Sequence, residues 1–167
     1  MMENLEEFHI PEDALEKIKD PDLLKEQIRE GKSLMEILGY NDRRMEVFSQ
    51  AAETYFYEQN YEKASEAFTF LTALDPNTSQ YWLGLGMTEQ LLGEYHGALL
   101  AYTMVLINQP QNPLVHYHIG NCYQAILDED NARLSFEMAV KYADEQQEFQ
   151  IIKEQAQKAL DRGDAPS

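Results

Sequence analysis

Residues 81–86 read Tyr-Trp-Leu-Gly-Leu-Gly. Two glycines this close fit two readings: a loop whose backbone cradles phosphate, or small residues where two helices touch. A phosphate loop needs a strand before it and a helix that starts at it, and the sequence around residues 81–86 supplies neither. The wider sequence decides for helix contact, because the stretch recurs in register. Ala64, Ala98 and Ala132 stand 34 residues apart. Four residues after each comes an aromatic, Phe68, Tyr102 and Phe136; seven after each comes Leu71, Val105 and Ala139. Pro76 and Pro110 keep the same interval. Trp82 aligns with Phe48 and His116, Gly86 with Ala52 and Gly120, and Tyr55 with Tyr123, with Glu89 at the odd position between.

A bulky residue, a small one, Tyr, then Ala, an aromatic, a small residue and Pro, at a period of 34, is the tetratricopeptide pattern. Each unit of that pattern is a pair of antiparallel helices. The sequence thus predicts an all-α fold: three tetratricopeptide repeats, over 45–78, 79–112 and 113–146, stacked in a curved helical solenoid. Gly86 and Gly120 fall where the first helix of a unit crosses the second, so a side chain there would push the helices apart. Gly84 is less constrained and is a place for close backbone approach by a ligand. Asn112-Pro113 reads as an N-cap followed by Pro at the first helical position. Asp75-Pro76-Asn77 and Gln109-Pro110-Gln111 end the second helices, because Pro disfavours helix at the residue before it. Gln59-Asn60 and Gly93-Glu94 supply the turns inside units.

A stack of three units leaves apolar surface at both ends, and caps are expected there. Residues 147–161 supply a C-terminal capping helix, with Phe149, Ile152, Ala156, Ala159 and Leu160 on one face. Residues 162–167 read as a frayed tail, and the tripeptide Arg162-Gly163-Asp164 is a chance match to an adhesion motif. Residues 21–40 form an N-terminal helical region, broken at Gly31 into two short helices. Its apolar residues Leu23, Leu24, Ile28, Leu34, Met35, Ile37 and Leu38 exceed what one end cap needs. Residues 22–38 are therefore read either as a homodimer surface or as a segment folded onto the first repeat. Residues 1–20 are charged, contain Pro11 and have weak periodicity; they read as flexible.

The formal net charge is −17 over 167 residues. Such a surface repels phosphate backbones and anionic lipid, which argues against nucleic-acid binding and direct membrane binding. It keeps a small protein soluble while it holds a sticky partner. No apolar run approaches the roughly 18 residues of a membrane span. The acidic start MMENLEEFHIPEDALEK is not a secretory signal, and the single cysteine, Cys122, fits a reducing compartment. A cytoplasmic location is expected.

The residues offer no catalytic constellation. His118 and Cys122 have a helical i, i+4 spacing that can serve a metal, but no second ligand pair stands nearby, and Cys122 reads as a small packing residue. Neither a metal nor a cofactor is expected, and no enzyme activity. Binding remains. In a tetratricopeptide stack the first helix of each unit lines the inner face. Its inward positions are Glu46, Ser49, Glu53 and Phe56 in the first unit. They are Gln80, Leu83, Met87 and Gln90 in the second, and Leu114, Tyr117, Asn121 and Gln124 in the third. Phe56, Leu83, Met87, Leu114 and Tyr117 are apolar or aromatic; amides, a hydroxyl and acids make up the rest. That composition suits an extended peptide with a few apolar anchors, its backbone held by Asn and Gln. It does not suit an acidic C-terminal tail, which needs Lys and Arg where Ser49, Glu53, Leu83 and Met87 stand.

Several stretches resemble one family closely. Gly31-Lys32-Ser33-Leu34 leading to Leu38, the turn Asn60-Tyr61-Glu62-Lys63-Ala64, the run Tyr81 to Gly86, and Glu148-Phe149 opening a C-terminal helix are similar to the class II chaperones of type III secretion. These are the SycD/LcrH/IpgC-like proteins of Gram-negative bacteria. The resemblance covers roughly residues 22–160. It implies a cytoplasmic chaperone that binds an extended N-terminal segment of hydrophobic translocator proteins and keeps them soluble and apart before export. It also implies frequent dimerisation through the N-terminal region. Carried over by position, Ser49, Glu53, Phe56, Leu83, Met87, Tyr117 and Asn121 would line the groove. The chain departs from the family at Ser49 and Glu53, where aromatics are often found. The alternative function is a general scaffold joining two soluble proteins.

Overall fold

The computed structural model describes residues 12–144 and 146–163. Among these residues there are ten α-helices, one short 3-10 turn and no strand. The chain divides after Tyr81 into two compact units.

The first unit begins with α1 (Glu12–Lys19), α2 (Pro21–Arg29) and α3 (Leu34–Leu38). Asp20 sets the start of α2: its side chain accepts from the N–H groups of Asp22 and Leu23, both at 3.1 Å, ahead of Pro21. Gly31, at φ +82°, breaks the chain where the sequence places a break. Ser33 and Glu36 then form a reciprocal capping box for α3. The hydrogen bonds from Ser33 hold the Glu36 carboxyl below its ordinary range. Lys17 Nζ donates to the Leu38 carbonyl at 3.3 Å, tying α1 to the end of α3. The expectation of a flexible segment up to residue 20 meets a helix over Glu12–Lys19, with Ala14 fully buried. Its single buried small residue gives too narrow an apolar stripe for the sequence pattern to reveal. Residues 1–11 lie outside the described residues.

Helices α4 (Asp42–Tyr57) and α5 (Tyr61–Leu74) pack as the first antiparallel pair. Their core holds Met45, Phe48, Ala52, Ala64, Ala67, Phe68, Leu71 and Leu74. Tyr40, Phe48 and Phe70 meet edge to face, with centroids 5.5–6.4 Å apart, the arrangement that the ring quadrupoles favour.

Helix α6 (Ser79–Leu92) contains the point of division. The second unit continues with α7 (Tyr95–Asn108), α8 (Pro113–Ala125), α9 (Glu129–Ala143), a 3-10 turn (Gln147–Phe149) and α10 (Gln150–Gly163). The second helices of the pairs start at Tyr61, Tyr95 and Glu129, so the 34-residue period is a period of structure. The turn before each contains one residue with positive φ at the same interval: Gln59 (62°), Gly93 (81°) and Leu127 (62°). Only Gly takes that conformation freely; for Gln59 and Leu127 it costs about 1–2 kcal/mol. The next residue compensates. Asn60 and Asp128 cap their helices with side-chain oxygens, whereas Glu94, after the glycine, makes no side-chain cap.

Two apolar clusters build the second unit. Ala98, Tyr102, Val105, Val115, Ile119 and Cys122 form the first, with Trp82, Leu83 and Met87 packed against it. Ala132, Phe136, Ala139 and Ala156 form the second, covered by Ala159 and Leu160. The C-terminal helix thus does the capping expected of it. It runs through Gly163, two residues past the expected end at 161; residues 164–167, including Asp164, lie outside the described residues.

The glycines of the opening stretch are accounted for by contact. A Cβ on Gly86 would stand 2.7 Å from the Tyr102 ring, and one on Gly120 would stand 2.6 Å from the Phe136 ring. Both rings are buried and cannot swing away. At Gly97 the nearest atoms to a Cβ all belong to the far end of the long Glu89 side chain, not to a buried ring. Gly86→Ala and Gly120→Ala should each lose stability in chemical denaturation. Overpacking costs about 1–3 kcal/mol, against ~1 kcal/mol returned by helix propensity. Gly97→Ala should be neutral or stabilising by up to ~1 kcal/mol. Equal effects at all three positions would contradict the contact account.

Candidate peptide-binding site

In the first unit, Glu46, Ser49, Glu53 and Phe56 recur along one side of α4 by their i, i+3, i+7 spacing. Glu53 is exposed; Ser49 and Phe56 are half-buried. The Phe56 ring packs edge-on against Tyr57 and Tyr61, each at 5.8 Å. Ser49 and Glu46 line a cleft of about 360 Å³ with Met35, Met45, Tyr81 and the acids Asp42 and Asp75.

In the second unit, the candidate residues come from α6 and α8. Leu83 and Met87 lean on the first apolar cluster yet stay half-buried. Leu114, Tyr117 and Asn121 on α8 are also half-buried, and Gln124 is exposed. Tyr117 sits with its ring 5.9 Å from Phe136 and 5.8 Å from His118. None of the ten residues chosen from the sequence lies in a fully buried position.

Gln90 behaves differently from a free amide. Its Oε1 accepts from the Tyr102 hydroxyl at 2.7 Å and contacts His118 Nδ1 at 3.0 Å. An amide oxygen only accepts, so His118 Nδ1 carries the proton. The His118 ring stacks on Tyr102 at 5.5 Å with the planes 18° apart. Burial raises the Tyr102 phenol well above its ordinary value and lowers the His118 imidazole, holding both neutral. This network joins α6, α7 and α8. Sequence spacing did not single out His118 as part of the site, because its partners stand 16 and 28 residues away.

The other histidine and the cysteine of α8 are packing residues. His116 is buried, with Nε2 2.9 Å from the Pro110 carbonyl and its ring 5.2 Å from Tyr142. Cys122 is fully buried and its thiol is pushed up to about 11 by desolvation. Among the described residues no three His, Cys, Asp or Glu side chains converge as a metal site, and no helix is long and apolar enough to cross a membrane.

The His118 shift makes a prediction for stability against pH. Unfolded histidine takes up its proton near pH ~6.5, and the folded ring takes it up only at a lower pH. The contribution is complete above ~6.5 and is lost as pH falls from there through the folded value. His118→Phe, which keeps a ring against Tyr102, should flatten the acid limb of a melting-temperature profile below pH ~6.5. An unchanged acid limb would contradict the burial of a neutral imidazole.

No family model matches the chain. Low calcium response locus protein H of Yersinia pestis is 30% identical over 82 residues, 49% of this chain and 48% of that protein. The chain thus matches about half the length of that curated relative. PcrH of Pseudomonas aeruginosa superposes with a TM-score of 0.71 at 25% identity, covering 76% of this chain and 96% of PcrH. PcrH bound to the chaperone binding region of PopD also superposes with a TM-score of 0.71, at 25% identity, over 75% of this chain and 94% of that one. The type III secretion translocator chaperone SycD of Yersinia enterocolitica shares the fold, with a TM-score of 0.70 at 21% identity over 78% of this chain and 98% of SycD. In fold, and in the sequence of its matched half, this chain is similar to the SycD/LcrH/PcrH type III secretion translocator chaperones, the group its repeat motifs resemble.

Proposed function

We propose that the chain is a cytoplasmic, non-enzymatic type III secretion chaperone. On this reading it binds an extended, apolar segment of a hydrophobic translocator protein and keeps that client soluble before export. The observation that carries the reading is the half-exposure of Leu83, Met87, Leu114 and Tyr117 beside the amides Asn121 and Gln124, in a chain of net charge −17. Apolar side chains held partly in water have a use when something else covers them. The amides supply donors and acceptors to a client backbone whatever its sequence. Ser49, Glu53 and Phe56 of the first unit are proposed as further client contacts in their own right. The PcrH structures, which hold the chaperone binding regions of PopD and PopB, give the reading its client class and a usable probe.

The test is capture of the chaperone binding region of PopD by the purified chain, followed by calorimetry. Leu83→Asp combined with Tyr117→Asp places unpaired charges under the bound segment, and affinity should fall by about 2–4 kcal/mol. Circular dichroism checks that the variant keeps its helices. A folded double variant that binds as tightly as the parent would refute the assignment of this face.

The proposal includes a homodimer through residues 22–38. Leu23 is 44% and Ile28 57% exposed, and Leu15 and Ile18 of α1 add to the same apolar content. Leu23→Asp with Ile28→Asp should shift the protein to monomer in sedimentation velocity without lowering its helicity. A parent that is monomeric at ~100 μM, far above the dissociation constants of stable interfaces, would exclude the dimer.

A further inference from the structure

We infer that Gln90 and His118 form a clamp for the main chain of the bound segment: Gln90 Nε2 donates to a backbone carbonyl, and His118 Nε2 accepts from a backbone N–H. The inference rests on the reading that the α6–α8 face takes an extended client, and it names the groups that hold that client's backbone.

The reasoning starts from valence. An amide oxygen has two lone pairs, and Gln90 Oε1 meets two donors, the Tyr102 hydroxyl and His118 Nδ1–H. The oxygen is saturated and the plane of the amide is fixed. Its Nε2 then has two N–H groups and makes no hydrogen bond among the described residues. The same bond fixes the histidine tautomer. With Nδ1 as donor, Nε2 of the neutral ring is an acceptor, and it too makes no hydrogen bond among the described residues. Neither nitrogen is among the buried side-chain atoms that lack a partner; Tyr40 Oη alone is, among the described residues. Among the described residues, then, Gln90 Nε2 is left as a donor and His118 Nε2 as an acceptor.

A donor and an acceptor presented together are complementary to a β-extended chain, in which the N–H and C=O of a single residue project to the same side, as in an antiparallel ladder. The clamp is rigid before any client arrives. The His118 ring is stacked on Tyr102 and edged by Tyr117, and Tyr102 is fully buried. Little side-chain freedom is left to lose on binding, which is the benefit of preorganisation. The clamp reads no side chain, so it holds clients of differing sequence as long as they are extended, while Leu83, Met87 and Tyr117 select apolar residues on either side.

The experiment uses the full chain and the PopD segment as probe, together with a series of the same peptide carrying single backbone N-methyl groups. On the parent protein, one N-methyl position should weaken binding about tenfold, the equivalent of one hydrogen bond lost to a preorganised partner. On His118→Phe that position should cost less than twofold, while the other positions keep their parent values. Spectra of the parent protein labelled with 15N-histidine give a measurement free of mutation: the His118 Nε2 resonance should move upfield when peptide is added. Tight binding with no N-methyl position that depends on His118, or an Nε2 resonance that does not move, overturns the clamp and leaves client binding standing. Failure of the unmodified peptide to bind overturns both.

Discussion

The second unit depends on two places where a helix backbone touches an aromatic ring. Gly86 lies against Tyr102 and Gly120 against Phe136, and a single added carbon at either glycine would come within 2.7 Å of the ring. Those contacts set how near the first helix of a pair comes to the second. Because the rings are wholly buried, the approach distance is fixed by van der Waals contact and leaves no slack. Everything else in this unit is arranged around that spacing: the apolar cluster behind α6 and α8, and the half-exposed side chains in front of it.

Tyr102 links packing to chemistry. Its ring fills the space that Gly86 leaves, and its hydroxyl crosses to Gln90. One residue thereby sets the helix spacing and orients the Gln90 amide. His118 completes the arrangement by stacking on the same ring and donating to the same amide. A buried hydroxyl donor and a half-buried imidazole N–H would each be costly unpaired; sharing one acceptor satisfies both donors.

Charge is distributed with the same economy. The chain is strongly acidic overall, yet α6 contains one charged residue, Glu89, and α7 none. Leu100 and Ile107 on α7 are 64% and 67% exposed. The second repeat is thus a charge-poor, apolar segment flanked by acidic ones. Like charge on the flanks opposes non-specific association through the apolar middle.

The sequence by itself determined the periodic part of this protein. The 34-residue interval of Ala64, Ala98 and Ala132 placed the helix pairs, and the small residues at 52, 86 and 120 marked their crossings. Pro76, Pro110, Asn112-Pro113 and Gly31 marked the ends. These features are legible because backbone conformation and close packing limit residue type at a fixed place in each repeat. Helix α1 was not legible, since eight residues with one buried alanine carry almost no pattern. Only the tertiary structure decided that Gln90 is held by two donors and that His118 belongs beside it. Those groups come from three helices, and a hydrogen bond between residues 28 apart leaves no trace in local spacing. The period of the chain follows from what each helix must bury; the Gln90–Tyr102–His118 network follows from which helices are brought side by side.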